Sequence, residues 1–139
     1  MAKEVVPMMA GEPDNVRHPR GRAEVLNMLA IDVHRLSERW WTDLHTGERI
    51  ERNVGELLAL VHSEISEALE GHRKGLPDDK LPHRAMFEVE LADAVIRILD
   101  LAGGLELDLG GAIMEKLAYN QKRADHTREG RLAAGGKKY

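Results

Sequence analysis

Residues 53–70, NVGELLALVHSEISEALE, decide the fold of this chain, because their apolar positions recur at the spacing of a helix. Asn53, with Glu56 three residues later, is typical of an N-cap followed by a capping box. The stretch therefore predicts a helix that begins at about residue 54 and continues to about residue 70.

Two of the acids in this helix are expected to point inward. Each residue advances by about 100° around a helix, so Glu64 falls inside the apolar arc centred on Leu57, and Glu67 falls at the edge of that arc. Glu56 and Glu70 lie further round and are expected to face water. The helix thus separates two candidate site residues from two ordinary surface acids.

A second acid pair follows in the next predicted helix, residues 83–102. Glu90 and Asp93, in E-L-A-D, share one face because they are three residues apart. Most of the circumference of this helix is apolar, which is typical of a helix buried in an assembly. Its narrow polar stripe, Glu90, Asp93, Arg97 and Asp100, is therefore expected to line a site.

Four inward carboxylates predict a bound cation. Acids that converge in a helical core repel one another and are costly to desolvate unless a positive charge compensates them. Oxygen ligands favour a hard cation, Mg²⁺ or Mn²⁺. The predicted metal ligands are Glu64, Glu67, Glu90 and Asp93. The chain has no cysteine, no H-x-x-x-H and no E-x-x-H, which argues against zinc and di-iron sites.

The remaining pattern is also helical, and no segment shows the strict alternation of a strand. We therefore expect an all-α protein, a four-helix bundle that assembles as an oligomer. The predicted helices cover about residues 22–44, 54–70, 83–102 and 108–126. A single domain, residues 1–139, would have its helical core at about 22–126, an N-terminal tail at 1–20 and a flexible basic end at 127–139.

Composition narrows the class of partner. The net charge of the 139 residues is −4, which is a poor prior for a protein that coats nucleic acid. The longest apolar run, Leu57–Val61, is too short to cross a bilayer, and no signal peptide is apparent. We expect a cytoplasmic protein that binds neither membranes nor nucleic acid, with a small anionic ligand held through a metal.

The fourth predicted helix carries a complementary charge pattern. Lys116, Asn120 and Arg123 are spaced i, i+4, i+7 and would share one face. Lysine and arginine are the usual donors to phosphate oxygens. These residues are candidate phosphate contacts, although they could instead pair with the acids in a structural network.

Trp40 and Trp41 are adjacent and cannot share a helix face. Trp40 falls on the apolar stripe of the first predicted helix and is expected to pack in the core. Trp41 lies toward the edge of that stripe. It is either a rim residue or an aromatic wall on which a nucleobase stacks.

The acid pairs resemble the hallmark of the MazG-like all-α nucleoside triphosphate pyrophosphohydrolase superfamily, E-x-x-E, a gap, then E-x-x-D. Here the gap is 22 residues, 68–89. R-N-V-G-E-L-L-A-L-V, from Arg52, resembles the lead-in to the first pair, and K-L-A-Y-N-Q-K-R, from Lys116, resembles the phosphate-contacting helix. The resemblance covers about residues 22–126.

The resemblance implies a Mg²⁺-dependent hydrolase in which a water attacks the α-phosphorus of a (deoxy)nucleoside triphosphate and releases pyrophosphate. Glu64 or Glu67 would orient or deprotonate that water. The family also implies a homodimer or homotetramer whose sites a neighbouring subunit completes. Base recognition would involve the region 41–53, with Trp41, His45 and Asn53 as candidates, and the preferred base is left open.

Two other interpretations of the sequence stay open. The same motif is compatible with phosphoribosyl-ATP pyrophosphohydrolase, which differs in substrate. A non-catalytic helical interaction module, in which the acids form a structural salt-bridge network, belongs to a different class of protein. A single E-x-x-E on a helix is usually a solvated surface, so the pairing of two such motifs is what favours a site.

Overall fold

The computed structural model describes residues 19–137, and within this range the chain is helical and contains no strand. The all-α prediction is confirmed. Residues 1–18 of the predicted tail and residues 138–139 of the predicted basic end lie outside the described residues. The helices are α1 Pro19–Ser37, α2 Val54–Lys74, α3 Met86–Gly104, α4 Leu109–Gln121 and α5 Arg128–Leu132, with 3₁₀ turns at Glu38–Trp41 and Ala124–His126.

The described residues form two compact units. The first, Leu26–Leu109, contains α2 and α3. The second comprises the described residues on either side, 19–25 and 110–137, and contains α5. The four-helix bundle and the single domain stay predictions.

In the first unit, α2 and α3 form a hairpin with a close contact near its tip. Gly75 ends α2 in the left-handed conformation, with φ of 62°, and the next amide, that of Leu76, donates to the Gly71 carbonyl at 3.2 Å. A Cβ at Gly71 would lie 2.9 Å from Cγ of Met86 and 3.0 Å from the amide nitrogen of Phe87, so glycine allows the helices to approach this closely. This contact fixes α2 against the first turn of α3, close to both acid pairs.

The connection between the two helices is held by its own hydrogen bonds. Asp78 is buried, and its Oδ1 accepts from the amides of Lys80 at 3.0 Å and Leu81 at 2.6 Å. The Met86 amide donates to the carbonyl of Leu76 at 3.0 Å, which ties the start of α3 to the end of α2. The polar connection therefore has a defined conformation that fixes the register of the hairpin.

The start of α2 agrees with the capping prediction. The Asn53 side chain accepts a hydrogen bond from the Glu56 amide at 3.2 Å, and the helix begins at Val54. A turn lies between Asp43 and Glu48, before this helix begins. Gly47 has a φ of 72° there, and the Asp43 amide donates to the Glu48 carbonyl at 2.7 Å.

The end of α1 differs from the prediction, and the roles of the two tryptophans change with it. The helix stops at Ser37 rather than residue 44, and one 3₁₀ turn follows before Thr42 becomes extended. The tighter turn rotates the residues after it by a different angle. Trp41 is consequently 2% exposed and Trp40 63% exposed, so the expectation that Trp40 packs in the core is wrong.

The core of the first unit is built from small clusters. Ala30, Leu99 and Ala102 form one, and Trp41 packs with Leu57 and Leu101 in another. Several large apolar side chains of α2 and α3 nevertheless stay exposed: Leu58, Ile65, Leu69, Leu91, Val95 and Ile98. Among the described residues, no helix combines the length and the hydropathy needed to cross a membrane.

In the second unit, Gly110 allows the start of α4 to contact α1. A Cβ at Gly110 would lie 2.2 Å from the carbonyl oxygen of Ala23. The predicted fourth helix is too long at its C-terminus, because α4 ends at Gln121 rather than residue 126. Beyond it, Thr127 caps α5 by accepting from the Gly130 amide at 3.0 Å.

Candidate metal site

Three of the four predicted acids converge between α2 and α3. One carboxylate oxygen from each of Glu64, Glu90 and Asp93 lies within 4.8 Å of the others. Glu64 is 6% exposed, Glu90 is 8% exposed and Asp93 is partly buried. The spacing that placed Glu64 in the apolar arc of α2 thus predicted its burial correctly.

Glu67 lies outside this group of three and is exposed. The expectation that it points inward is wrong, because its place at the edge of the apolar arc leaves it at the surface. Its charge still reaches the group and contributes to raising the pKa of Glu90. Glu67 is therefore at the rim of the acid group formed by Glu64, Glu90 and Asp93.

The electrostatics of the acid group are most evident at Glu90. Burial raises the pKa of its carboxyl to about 7, and a hydrogen bond to Glu64 and the negative charges of Glu67, Glu64 and Asp93 add to the rise. The protonated Glu90 carboxyl donates to the Glu64 carboxylate, since two ionised acids cannot share a hydrogen bond. Near neutral pH the group therefore holds a proton that an added cation would replace.

Arg97 donates directly to the acid group. Its Nε lies 2.5 Å from Oε1 of Glu64, across the interface of α2 and α3. The Arg97 side chain is 40% exposed, whereas that of Glu64 is 9% exposed. The guanidinium is thus a partly solvated positive charge, at the end of a long side chain, that faces a buried acid.

A cavity of about 230 Å³ adjoins the acid group on the side of Asp93 and Arg97. The predicted polar stripe of α3 therefore lines a space, because Asp93, Arg97 and Asp100 all face it. The residues that line the cavity are Ser37, Trp40, Asp93, Ile96, Arg97 and Asp100. Trp40 supplies an exposed aromatic side chain next to the acids.

The donor set fits a hard divalent cation. The three carboxylates offer only oxygen, which Mg²⁺ and Mn²⁺ prefer. Ligand oxygens of an octahedral Mg²⁺ are about 3.0 Å apart when adjacent and about 4.2 Å apart when opposite, so the three carboxylates, which lie within 4.8 Å of one another, would move closer together around one ion. The raised pKa of Glu90 points the same way, because a buried carboxyl beside other acids keeps its proton unless a cation compensates the charge.

Asp100, further along the same stripe, has a different environment. Its two carboxylate oxygens accept from the Trp41 indole Nε1 at 3.0 and 3.1 Å. The His34 Nδ1 is 2.8 Å from Oδ1, and the His34 and Trp41 rings meet edge to face with centroids 5.0 Å apart. Asp100 thereby ties α1 and the 3₁₀ turn to α3.

The three candidates for base recognition have different surroundings. Trp41 is enclosed, with the Arg49 guanidinium 5.4 Å and that of Arg52 5.9 Å from the ring centroid. His45 is exposed in the turn that follows Asp43. The Asn53 oxygen serves as the cap of α2. Their base-binding role stays a prediction.

The candidate phosphate contacts belong to the second unit, but only two of them lie on the helix. Lys116 and Asn120 are on α4, whereas Arg123 follows the end of the helix, so the prediction of one shared helix face is wrong. Arg123 makes two hydrogen bonds to Asp125, at 2.9 and 2.6 Å. The Lys116 and Arg123 cations flank the Tyr119 ring, 5.0 and 6.0 Å from its centroid.

Sequence analysis gave no role of their own to two residues beside the acids. Arg97 had been placed on the polar stripe of α3, and its spacing of i, i+4 from Asp93 was a signal that it faces the acids. Trp40 could not be found by periodicity, because its exposure depends on the 3₁₀ turn. Both line the cavity beside the acid group.

Comparisons with protein-family models, with curated proteins and with solved structures give no match. The resemblance to the MazG-like superfamily accordingly depends on the motif residues themselves.

Proposed function

We propose that this chain is a Mg²⁺-dependent nucleotide pyrophosphohydrolase that cleaves a (deoxy)nucleoside triphosphate to its monophosphate and pyrophosphate. The observation that supports this most is the convergence of Glu64, Glu90 and Asp93, two of them buried, with oxygens within 4.8 Å of one another. The proposal also uses the E-x-x-E and E-x-x-D motifs that supply these acids. Removal of wrong or surplus nucleotides is the corresponding cellular role.

The proposed chemistry assigns a role to each acid. The carboxylates of Glu64, Glu90 and Asp93 would hold the metal, and Glu67 at the rim would accept a proton from the attacking water. A bound Mg²⁺ would supply Lewis acidity toward the phosphate and lower the pKa of water. The water oxygen bonds to the α-phosphorus while the bond to the pyrophosphate leaving group breaks.

Roles for the other candidates follow from the same resemblance. Lys116, Asn120 and Arg123 would neutralise phosphate charge, since lysine and arginine donate charge-assisted hydrogen bonds to phosphate. Substituting Lys116 by Gln is the direct test, with a rise in KM for the nucleotide as the expected result. An unchanged KM would remove Lys116 from the site.

The test of the proposed function is pyrophosphate release from a full panel of deoxynucleoside and nucleoside triphosphates with Mg²⁺. Glu64→Gln should lower the rate by more than about 100-fold. Even the loss of a residue that only orients a metal ligand lowers metal affinity or activity by about 10- to 100-fold. Glu56→Gln is the matched control, since Glu56 is exposed on the same helix. No turnover of any nucleotide by the wild type would refute the function.

The exposed apolar side chains support assembly as a homodimer or homotetramer. Leu58, Ile65 and Leu69 recur on one face of α2, and all three are exposed. Apolar patches of this kind usually mark an interface. Light scattering after gel filtration should give an oligomer for the wild type and a smaller species for Leu69→Asp. Leu44→Asp, in an exposed loop, should leave the oligomer intact.

A non-catalytic helical interaction module is the second candidate, and the Arg97–Glu64 ion pair favours it. In that case Arg97 would be the permanent partner of the acids, and no metal would be needed. Mg²⁺ would then leave the melting temperature unchanged. The enzyme predicts an increase in melting temperature that Glu64→Gln abolishes.

A further inference from the structure

Arg97 is the feature of the acid group that the proposed chemistry does not use. Its Nε donates to Oε1 of Glu64 at 2.5 Å. Glu64 is 6% exposed and is one of the three converging acids, so the guanidinium is hydrogen-bonded to a carboxylate oxygen that a metal would need. A permanent ion pair here would compete with every cation for the same oxygen.

The charges and positions around Arg97 define two sites for its guanidinium. On one side are the acids of the group, which it partly neutralises. Next to them, and sharing Asp93 with them, is the 230 Å³ cavity that Arg97 itself lines, together with Asp100 and the exposed Trp40. The side chain is 40% exposed and unbranched, so it can exchange between the two by rotamer changes.

We propose that Arg97 is an exchangeable counter-cation: it holds Glu64 while no metal is bound, yields that carboxylate to a divalent cation, and then turns into the adjacent cavity to bind a phosphate of the nucleotide. A divalent cation repels the guanidinium, because both carry positive charge and share one acid. A phosphate in the cavity would offer Arg97 a second anionic partner, with bidentate geometry.

This inference rests on the proposed metal site and nucleotide substrate, and its two halves predict effects of opposite sign. Removing the Arg97 charge leaves Glu64 free for a cation, so metal should bind more tightly. The same change removes a phosphate donor, so an inorganic triphosphate should bind more weakly. A purely structural role for Arg97 would not strengthen metal binding.

The experiment measures Mn²⁺ binding by electron paramagnetic resonance in Arg97→Gln, and then inorganic triphosphate binding by calorimetry at saturating Mn²⁺. We expect the Kd for Mn²⁺ alone to fall roughly tenfold and the Kd for triphosphate to rise roughly tenfold. Arg97→Lys, which keeps the charge, should lie between wild type and Arg97→Gln in both. Arg84→Gln is the matched control, because Arg84 forms an exposed ion pair with Glu88 at 2.8 Å and should change neither Kd.

Each outcome is decisive. An unchanged or weaker Mn²⁺ affinity in Arg97→Gln, or an unchanged triphosphate affinity, overturns the inference and leaves the metal site standing. If neither wild type nor Arg97→Gln binds Mn²⁺, the metal site fails and the inference fails with it. Should Arg97→Gln not fold, the same two affinities of Arg97→Lys decide the question.

Discussion

Asp100 and Glu64 are both carboxylates of the α2–α3 hairpin, yet their surroundings differ in kind. Asp100 accepts from the Trp41 indole at 3.0 and 3.1 Å and lies 2.8 Å from the His34 ring, so the side chains of two rings are its partners. Glu64 lies against Glu90 and Asp93, and one guanidinium, that of Arg97, faces them. A carboxylate with enough donors is structural, whereas a group with more acids than donors is suited to a cation.

The largest effect expected from this comparison is a loss of protein stability when Asp100 is substituted. Asp100→Ala should lower the free energy of unfolding by about 2–5 kcal/mol, because it leaves the Trp41 indole and the His34 ring without their partner. Chemical denaturation measures this loss. A loss below about 0.5 kcal/mol would show that Asp100 is not the structural member of the comparison.

The acid group should respond in the opposite direction. Glu90→Gln keeps the shape and a donor to Glu64 but removes a charge, so in chelator the variant should be more stable than the wild type at pH 8, by on the order of 2 kcal/mol. Denaturation in the presence of a chelator measures the difference.

The pH dependence of that difference provides the sharper check. The pKa of Glu90 is raised from 4.5 to about 7. Between these values the folded protein keeps a proton that the unfolded chain has lost, so wild-type stability falls as pH rises. The advantage of Glu90→Gln should therefore be absent below pH 4.5, grow through this window and level off above pH 7. An advantage that is the same at every pH would contradict the burial and repulsion that raise the pKa of Glu90.

The smallest effect is expected at Asn53, whose side chain, like that of Asp100, already has a structural hydrogen-bond partner. Its side-chain oxygen is already used as the cap of α2, bonded to the Glu56 amide at 3.2 Å. Asn53→Ala should cost about 1 kcal/mol of stability and leave the KM for a nucleotide unchanged. A change in KM without a loss of stability would instead support the predicted role in base recognition.

The parts of the fold that sequence predicted are those fixed by local physics. Asn53 and Glu56 marked the start of α2, because capping involves residues three positions apart. The burial of Glu64 followed from the 3.6-residue period. Three acids of the candidate site could be predicted in this way, because their motif lies on regular helices.

The parts that sequence missed depend on contacts between distant residues. No glycine or proline follows Ser37 before residue 44 to end α1. The Trp41 indole bonds to Asp100, 59 residues away, which local patterns cannot show. The exchange of roles between Trp40 and Trp41 accompanies that contact and the 3₁₀ turn. The pairing of Arg97 with Glu64, 33 residues apart, is of the same kind.

The central claim, that the acid group is a metal site, is tested most directly by the melting temperature during a titration with Mg²⁺. The wild type and Glu56→Gln should be stabilised progressively, by about 2.7 kcal/mol when Mg²⁺ reaches 100 times its Kd. Glu64→Gln should show no stabilisation. A wild type that Mg²⁺ leaves unchanged, or an equal rise in Glu64→Gln, would contradict the claim.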